Sequence, residues 1–455
     1  MTLVLFEDAC EPGVELIVEL GLMTPTSSSA IWDVSLWDSA IWGTGPDRTD
    51  VSAYVRSFET DRSFSSDMRT WNAGSVRIVL DNPDGRFSPD NLEPGAPYVA
   101  AGLSGMRPGC HIWISMVYNG TTYPIFFGYV TDLDEGWALH GISPSDCNTS
   151  DPELLERTGD AIMTIVGVDD WGRLARQKKQ LPVAPIGAGD TFGQRVSRIL
   201  SAAGYTGPVT LGLGVITCQD TDLSTEVVTE LNKVAQSEGG AIWDNVENIV
   251  AKGRYSLIEE PRSSTVQVAY GDNPDAGEIM WSDISVAPVS DEKIINHAVY
   301  ARSGGTPQEY RDATSTVLYG VCDDDSQPTD LICETDAQVA GLAQWRVIVG
   351  KDPEARIEYI ELKPRCDLAL LAPLVLETQI RDLVSVRVRP PSAQHHYMYR
   401  ECFISGIIFT VAQNDWTVRF GLSTATAYRI YSNSKWGSGT WGANDTDQTA
   451  ARWFV

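Results

Sequence analysis

The sequence predicts an α+β fold that is mainly β: an antiparallel β-barrel, an α+β segment and a second antiparallel β-barrel. Three observations carry this: a strand-and-turn signal at Val76–Gly85, an Asn119-Gly120 hairpin between apolar alternations, and two amphipathic helical runs that begin only after Asp190. The expected organisation is a tryptophan-rich extension at 1–50, the first barrel at 51–180, the α+β segment at 181–262, the second barrel with one helix at 263–425, and a tryptophan-containing extension at 426–455.

In the N-terminal extension Trp32, Trp37 and Trp42 recur at a five-residue interval. That period puts successive rings on opposite faces of a strand and gives no stripe on a helix, so irregular loops or short strands are expected. Trp436 and Trp441 repeat the interval near the other end. Indoles are enriched in interfaces, and two uses stand side by side: docking on their own domain or on a neighbouring subunit. Stacking on carbohydrate is a third.

In the first barrel Val76, Ile78 and Leu80 alternate with Arg77 and Val79, then Asn82-Pro83-Asp84-Gly85 reverses the chain. Asp81 and Asp84 do not make a calcium loop, because Pro83 falls on a ligand position and no glutamate closes the pattern. Further strands are expected at His111–Tyr118, Ile125–Leu133 and Ala161–Val168, the first two joined at Asn119-Gly120. In the α+β segment Phe192, Val196, Ile199 and Leu200 share a helical face ending at Gly204. Val227, Leu231, Val234 and Ala235 do the same before Gly239-Gly240. Ala241-Ile242-Trp243 and Tyr255–Ile258 are expected as strands.

In the second barrel the strand signals are Val266–Tyr270, His297–Ala301, Ile357–Leu362, Leu383–Val388, Cys402–Val411 and Trp416–Leu422. The one helix expected there follows Thr335, where Thr335 and Gln338 have capping-box spacing and Gly350 ends the run.

The chain has 455 residues, 43% of them hydrophobic, enough for roughly three domains. Thirty-four basic against sixty-one acidic residues give a net charge of −27, which repels a phosphate backbone. No apolar run approaches the ~20 residues of a membrane span, and the first residues lack a basic leader, so a protein made and kept soluble is expected. Eight scattered cysteines with no C-x-x-C pair read as free thiols.

Candidate chemistry is sparse. None of His111, His140, His297, His395 and His396 sits in a G-x-S-x-G or H-E-x-x-H frame. His395-His396 reads as an exposed loop, and Cys322-Asp323-Asp324-Asp325 as a solvated acidic loop with cation binding as the alternative. Gly212 and Gly214 are too closely spaced for a dinucleotide fingerprint, and paired carboxylates for glycoside cleavage are defined only in space. No catalytic residue, cofactor or metal site is expected.

The run WNAGSVRIVLDNPDGRFSPDN (Trp71–Asn91) resembles the N-terminal signature of minor tail proteins from siphophages of actinobacteria. The ordered set FFGYVTDLD, VGVDDWGRL, TFGQRVSRILSAAGY, ELNKVAQSEGGAIWDN, IINHAVYARSGG, AQVAGLAQWRVIVGK and CFISGIIFTVAQNDWTVRFGLS is similar to the central baseplate (tail tip) hub of tailed phages, over about Val51 to Ala425. The resemblance implies two tail-tube-like barrels per chain and a non-enzymatic homotrimer at the virion tail tip, assembled in the host cytoplasm. It further implies a distal tail protein, a tape measure protein and other tip or fibre proteins as partners, and phage DNA passing through the channel without specific binding. A distal tail or receptor-proximal module, and a tail-associated glycan hydrolase, are the alternatives. In that setting Trp32, Trp37, Trp42, Trp436 and Trp441 are the expected intersubunit anchors.

Overall fold

The computed structural model describes residues 3–5, 13–22, 48–65, 70–93, 97–100, 103–136, 161–177, 185–223, 226–289, 293–389, 398–412 and 415–425. The first part of the chain forms strands β1 (Leu3–Leu5), β2 (Val14–Gly21), β3 (Arg48–Asp50), β4 (Val55–Ser63), β5 (Ser75–Asp81), the short β6 (Val99–Ala100) and β7 (Leu103–Ser104), β8 (His111–Tyr118), β9 (Thr121–Gly136) and β10 (Ile162–Val168), followed by helix α1 (Asp170–Ala175). The alternation foreseen in β5 and β8 is the observed burial: Val76, Ile78 and Leu80, then Ile112, Ile114 and Met116, all face the core. Between β8 and β9, Asn119 (φ 50°) and Gly120 (φ 76°) both lie in the left-handed region that a two-residue hairpin turn requires. At the Asn82–Gly85 turn, Asn82 Oδ1 accepts the Phe87 amide at 3.0 Å and Gly85 takes φ 66°.

The middle segment holds β11 (Asp190–Thr191), α2 (Phe192–Ala202), β12 (Val209–Leu211), β13 (Thr217–Cys218), α3 (Val227–Glu238), β14 (Ala241–Asp244), β15 (Ile249–Lys252) and two single-turn helices, α4 (Ser256–Glu259) and α5 (Pro261–Ser264). Thr191 and Gln194 close a capping box on α2, and Gly239 (φ 68°) ends α3. The strand expected at Tyr255–Ile258 is instead α4. The partner of β14 is β15, brought round by a turn in which Val246 takes φ 65°. Arg195 of α2, fully buried, meets Asp190 at 3.1 Å, the Gly187 and Gln219 carbonyls at 2.8 and 2.7 Å and the Thr221 hydroxyl at 2.7 Å. Four acceptors around one planar guanidinium are what permits its burial.

The last part comprises β16 (Val268–Gly271), β17 (Asp283–Ala287), β18 (His297–Tyr300), β19 (Gln308–Arg311), α6 (Ala313–Tyr319), α7 (Asp336–Gly350), β20 (Arg356–Leu362), α8 (Leu368–Glu377), β21 (Leu383–Val388), β22 (Met398–Ala412) and β23 (Asp415–Thr424). Thr335 and Gln338 form the foreseen capping box on α7. Where one helix is expected, the described residues hold three α-helices, α6, α7 and α8.

Fourteen strands share one sheet. Its main path runs β1-β2-β8-β9-β10-β5-β4-β22-β23-β20-β17, with β3 also on β2, and with β21 joining β22 and carrying β16. The two halves therefore do not separate into closed barrels: among the described residues the path has two ends and does not return on itself. The cause is β22, which is long enough to serve three neighbours. Its first half pairs with β21 (Phe403 opposite Leu383), its second half with β4 (Gly406 opposite Ser63, through Ala412 opposite Ser57), and its other edge with β23. Buried Phe58, Thr60 and Arg62 of β4 lie opposite Val411, Phe409 and Ile407, so one apolar face crosses the seam and a single core cluster spans both halves.

At the changeover, Phe64 N donates to Ser405 O at 2.8 Å, and a Cβ at Gly406 would stand 2.7 Å from the Ser63 Cβ. Only a residue without a side chain lets β4 approach there. Gly406→Val should therefore lower the unfolding free energy by about 2 kcal/mol, the scale of an overpacked site, measured by urea denaturation. An unchanged midpoint would refute a close-packed seam.

Beside the seam Arg62 is buried with two acids. Asp169 caps α1 through Gly172 N at 2.8 Å and accepts Gly74 N at 2.8 Å and Trp71 Nε1 at 3.4 Å, while the Arg62 guanidinium reaches the Asp244 carbonyl at 3.4 Å. Asp244 Oδ1 has no hydrogen-bond partner among the described residues. Burial, reinforced by Asp169, pushes the Asp244 carboxyl well above the usual carboxylate range, and burial also raises Asp169 against the pull of its three donors and Arg62. The folded pair thus holds a proton more tightly than the unfolded chain. Its contribution to stability is present at low pH and is lost as pH rises through the raised pKa. Asp244→Asn should flatten that decline in urea midpoint between acid and neutral pH, and parallel profiles for variant and parent would contradict the assignment.

Candidate assembly surfaces

Among the described residues both ends of the sheet are open. At one, β17 pairs only with β20, and near it Met280, Val286 and Val289 are 57, 43 and 60% exposed. At the other, β1 and β3 lie along successive parts of β2. A free strand edge with exposed apolar side chains is a template for pairing with another chain.

A second surface is the end of α6, where Val317, Leu318, Tyr319 and Val321 are 86, 65, 42 and 53% exposed. This apolar knuckle is braced from below. Asp312 accepts the Ser315 amide at 2.8 Å and pairs with Lys351 at 2.9 Å, and the Ser315 hydroxyl donates to the Lys351 carbonyl at 2.8 Å. Fully buried Asn296 donates to Gly320 O and accepts Cys322 N, both at 2.8 Å. Buried polar bonds of this kind fix one conformation, so the exposed apolar side chains are held out by the fold. A smaller exposed group, Leu211, Leu213 and Val215, lies at the end of β12 and on the loop after it, where a Cβ at Gly214 would stand 2.4 Å from the Phe192 Cβ and one at Gly212 would stand 3.2 Å from the Ser256 Cβ. The close approach to Phe192 accounts for Gly214.

The described groups considered for chemistry have partners within the fold. The acidic run is a solvated loop only in part: Asp323 and Asp325 are exposed, and Asp324 is not. Asp324 is 1% exposed, takes the Tyr300 hydroxyl and meets Arg346 Nε at 3.0 Å, while Asp323 bonds to His297. Asp323, and with it Glu309 on the other ring nitrogen at 3.0 Å, raises the His297 pKa. Among the described residues no group of three or more His, Cys, Asp or Glu is arranged to hold a metal ion. Asp169 and Asp244, each 2% exposed, are closed to a polysaccharide. Cys110, Cys218, Cys333 and Cys402 are buried free thiols, whereas Cys366 is exposed. His140, His395 and His396 lie outside the described residues, as do Trp32, Trp37, Trp42, Trp436 and Trp441. No described helix is long and apolar enough to cross a membrane.

The braced knuckle separates folding from contact. Leu318→Asp should leave the melting midpoint within what ~0.5 kcal/mol produces, because the side chain buries little, yet reduce association with other chains, measured by sedimentation. A large loss of stability in the isolated chain would show that the knuckle is part of the core.

The sequence matches no protein-family model and no curated protein sequence. Among solved structures it resembles the tail protein from Neisseria meningitidis MC58, with a TM-score of 0.52 at 12% identity over 91% of this chain and 98% of that one. It also resembles the 43 kDa tail protein of prophage MuSo2 from Shewanella oneidensis, with a TM-score of 0.51 at 13% identity over 90% of this chain and 99% of that one. At these identities the likeness is one of fold, and it extends over nearly the whole of each chain.

Proposed function

We propose that this chain is a structural protein of a bacteriophage tail, and within the tail the hub at the tip of a siphophage, three copies forming a ring around the DNA exit channel. The observation that carries this reading is the β4–β22 seam. It makes one wall from two sheet halves and, among the described residues, leaves an edge at each end on which a further copy could add. A head-to-tail contact of that type closes into a ring where its rotation divides a full turn, and threefold closure is the reading proposed. Three chains with two halves each meet a sixfold tube without mismatch, each half standing for one tube-like domain. The fold shared with two tail proteins supports the same reading.

In this role the neighbours are a distal tail protein on the tube side, the tape measure protein along the axis, and tip or fibre proteins beyond. The net charge of −27 disfavours adhesion of the DNA that passes. The protein is non-enzymatic in this reading, with Trp32, Trp37, Trp42, Trp436 and Trp441 as anchors between subunits.

An averaged map of the tail tip tests it: three copies on the central axis are expected. Six copies would point to a distal tail position, and one copy off the axis would end the ring. Replacing Trp32, Trp37 and Trp42 together with alanine should yield tailless or tipless particles while the isolated chain keeps its melting temperature. Normal particles from that variant would remove the anchor role.

A further inference from the structure

The outer face of the β8–β9 hairpin carries an aromatic square. His111 lies opposite Tyr129 and Trp113 opposite Phe127 in the strand register, with ring centroids 4.9 to 6.0 Å apart across and along the strands. All four rings are half-buried, although they point away from the core that Ile112, Ile114 and Val130 occupy. Trp113, Phe127 and Tyr129 floor a cleft of about 860 Å³, closed on its far side by α1, by the Gly204–Pro208 loop and by Glu247. That volume suits a ligand of small-molecule size.

The polar groups on the rim decide which ligand. Arg48 lies 4.5 Å over the Trp113 ring and pairs with Glu19 at 3.2 Å; Arg173 lies 4.2 Å over the Tyr129 ring; Asp170 takes the Tyr205 hydroxyl at 3.2 Å. Two cations meet three acids, Glu19, Asp170 and Glu247, so the rim carries one acid in excess, while burial and then Arg173 lower the His111 pKa. An anion gains no net attraction here. A cation finds two of the ring faces already occupied by guanidinium groups. A purely apolar ligand would strip water from a charged rim without replacing its hydrogen bonds. What remains is a neutral molecule with apolar faces for the rings and hydroxyls for planar, bidentate side chains.

We infer that this cleft binds a neutral oligosaccharide of two or three sugar units, Phe127 stacking against an apolar face while Arg48, held over Trp113, and Glu19, Asp170 and Arg173 bond its hydroxyls. The site does not depend on the ring reading: it is formed within one chain.

Calorimetric titration of the full chain with maltotriose, cellotriose, mannotriose and chitotriose tests the assignment, with glucose 6-phosphate as the anionic comparator. At least one trisaccharide is expected to bind. Trp113→Ala and Phe127→Ala should each weaken it at least about tenfold, a loss of ~1.4 kcal/mol, with unchanged circular dichroism and melting. Either variant alone suffices if the other fails to fold. The inference is overturned if no trisaccharide binds, if both folded variants bind as the parent does, or if the phosphate ester binds more tightly. It is equally overturned if Trp113→Ala abolishes self-association of the parent, which would make a second copy the occupant.

Discussion

Everything in this fold hangs on one strand that is shared. Because β22 gives its first half to β21, its second half to β4 and its whole other edge to β23, the two halves of the chain are joined by backbone hydrogen bonds and not only by side-chain contact. A side-chain interface between domains tolerates rotation; a hydrogen-bonded ladder in fixed register does not, since a slip of one residue would turn Phe58 and Phe409 away from the core. The absence of a side chain at Gly406 is the local condition for that ladder. The buried Arg62, Asp169 and Asp244 group is its extension into the middle segment, tying β4, α1 and β14 together.

The same rigidity explains how the molecule presents its surfaces. Copies that each carry a net charge of −27 repel one another at long range, which favours patches without charge as surfaces for contact with other chains. Val317, Leu318, Tyr319 and Val321 form such a patch, and Asn296 and Asp312 hold it in place. The aromatic cleft sits elsewhere, on the outer face of the β8–β9 hairpin, and its two cations are answered by acids at the same rim. One surface is stripped of charge and the other carries both signs, with one acid in excess.

Local signals made part of this legible in the sequence. The hairpin at Asn119-Gly120 and the capping boxes at Thr191 and Thr335 are specified by residues within a few positions of each other, and all three appear where they are written. The seam strand β4, VRSFETDRS, has charges on both faces and was not singled out, because its burial comes from β5 on one side and β22 on the other. Helix α8 contains Pro373 and shows no clean helical period. Asp324 sits in an acidic run yet is buried, for its partners Tyr300 and Arg346 are supplied by β18 and α7. Of the cleft, the alternation His111, Trp113 and Phe127, Tyr129 is visible as the outward face of a hairpin, but Arg48 and Arg173 reach it only through the tertiary fold.

The partners at the seam stand near opposite ends of the chain, Ser57 with Ala412, and this sets a timetable for synthesis. A ribosome adding about 5–20 residues per second delivers β22 tens of seconds after β4 has emerged. Throughout that wait the edge of β4 is bare. Arg56, Glu59, Asp61 and Arg62 then act as gatekeepers, discouraging the nascent strand from pairing with another polypeptide until its own mate arrives.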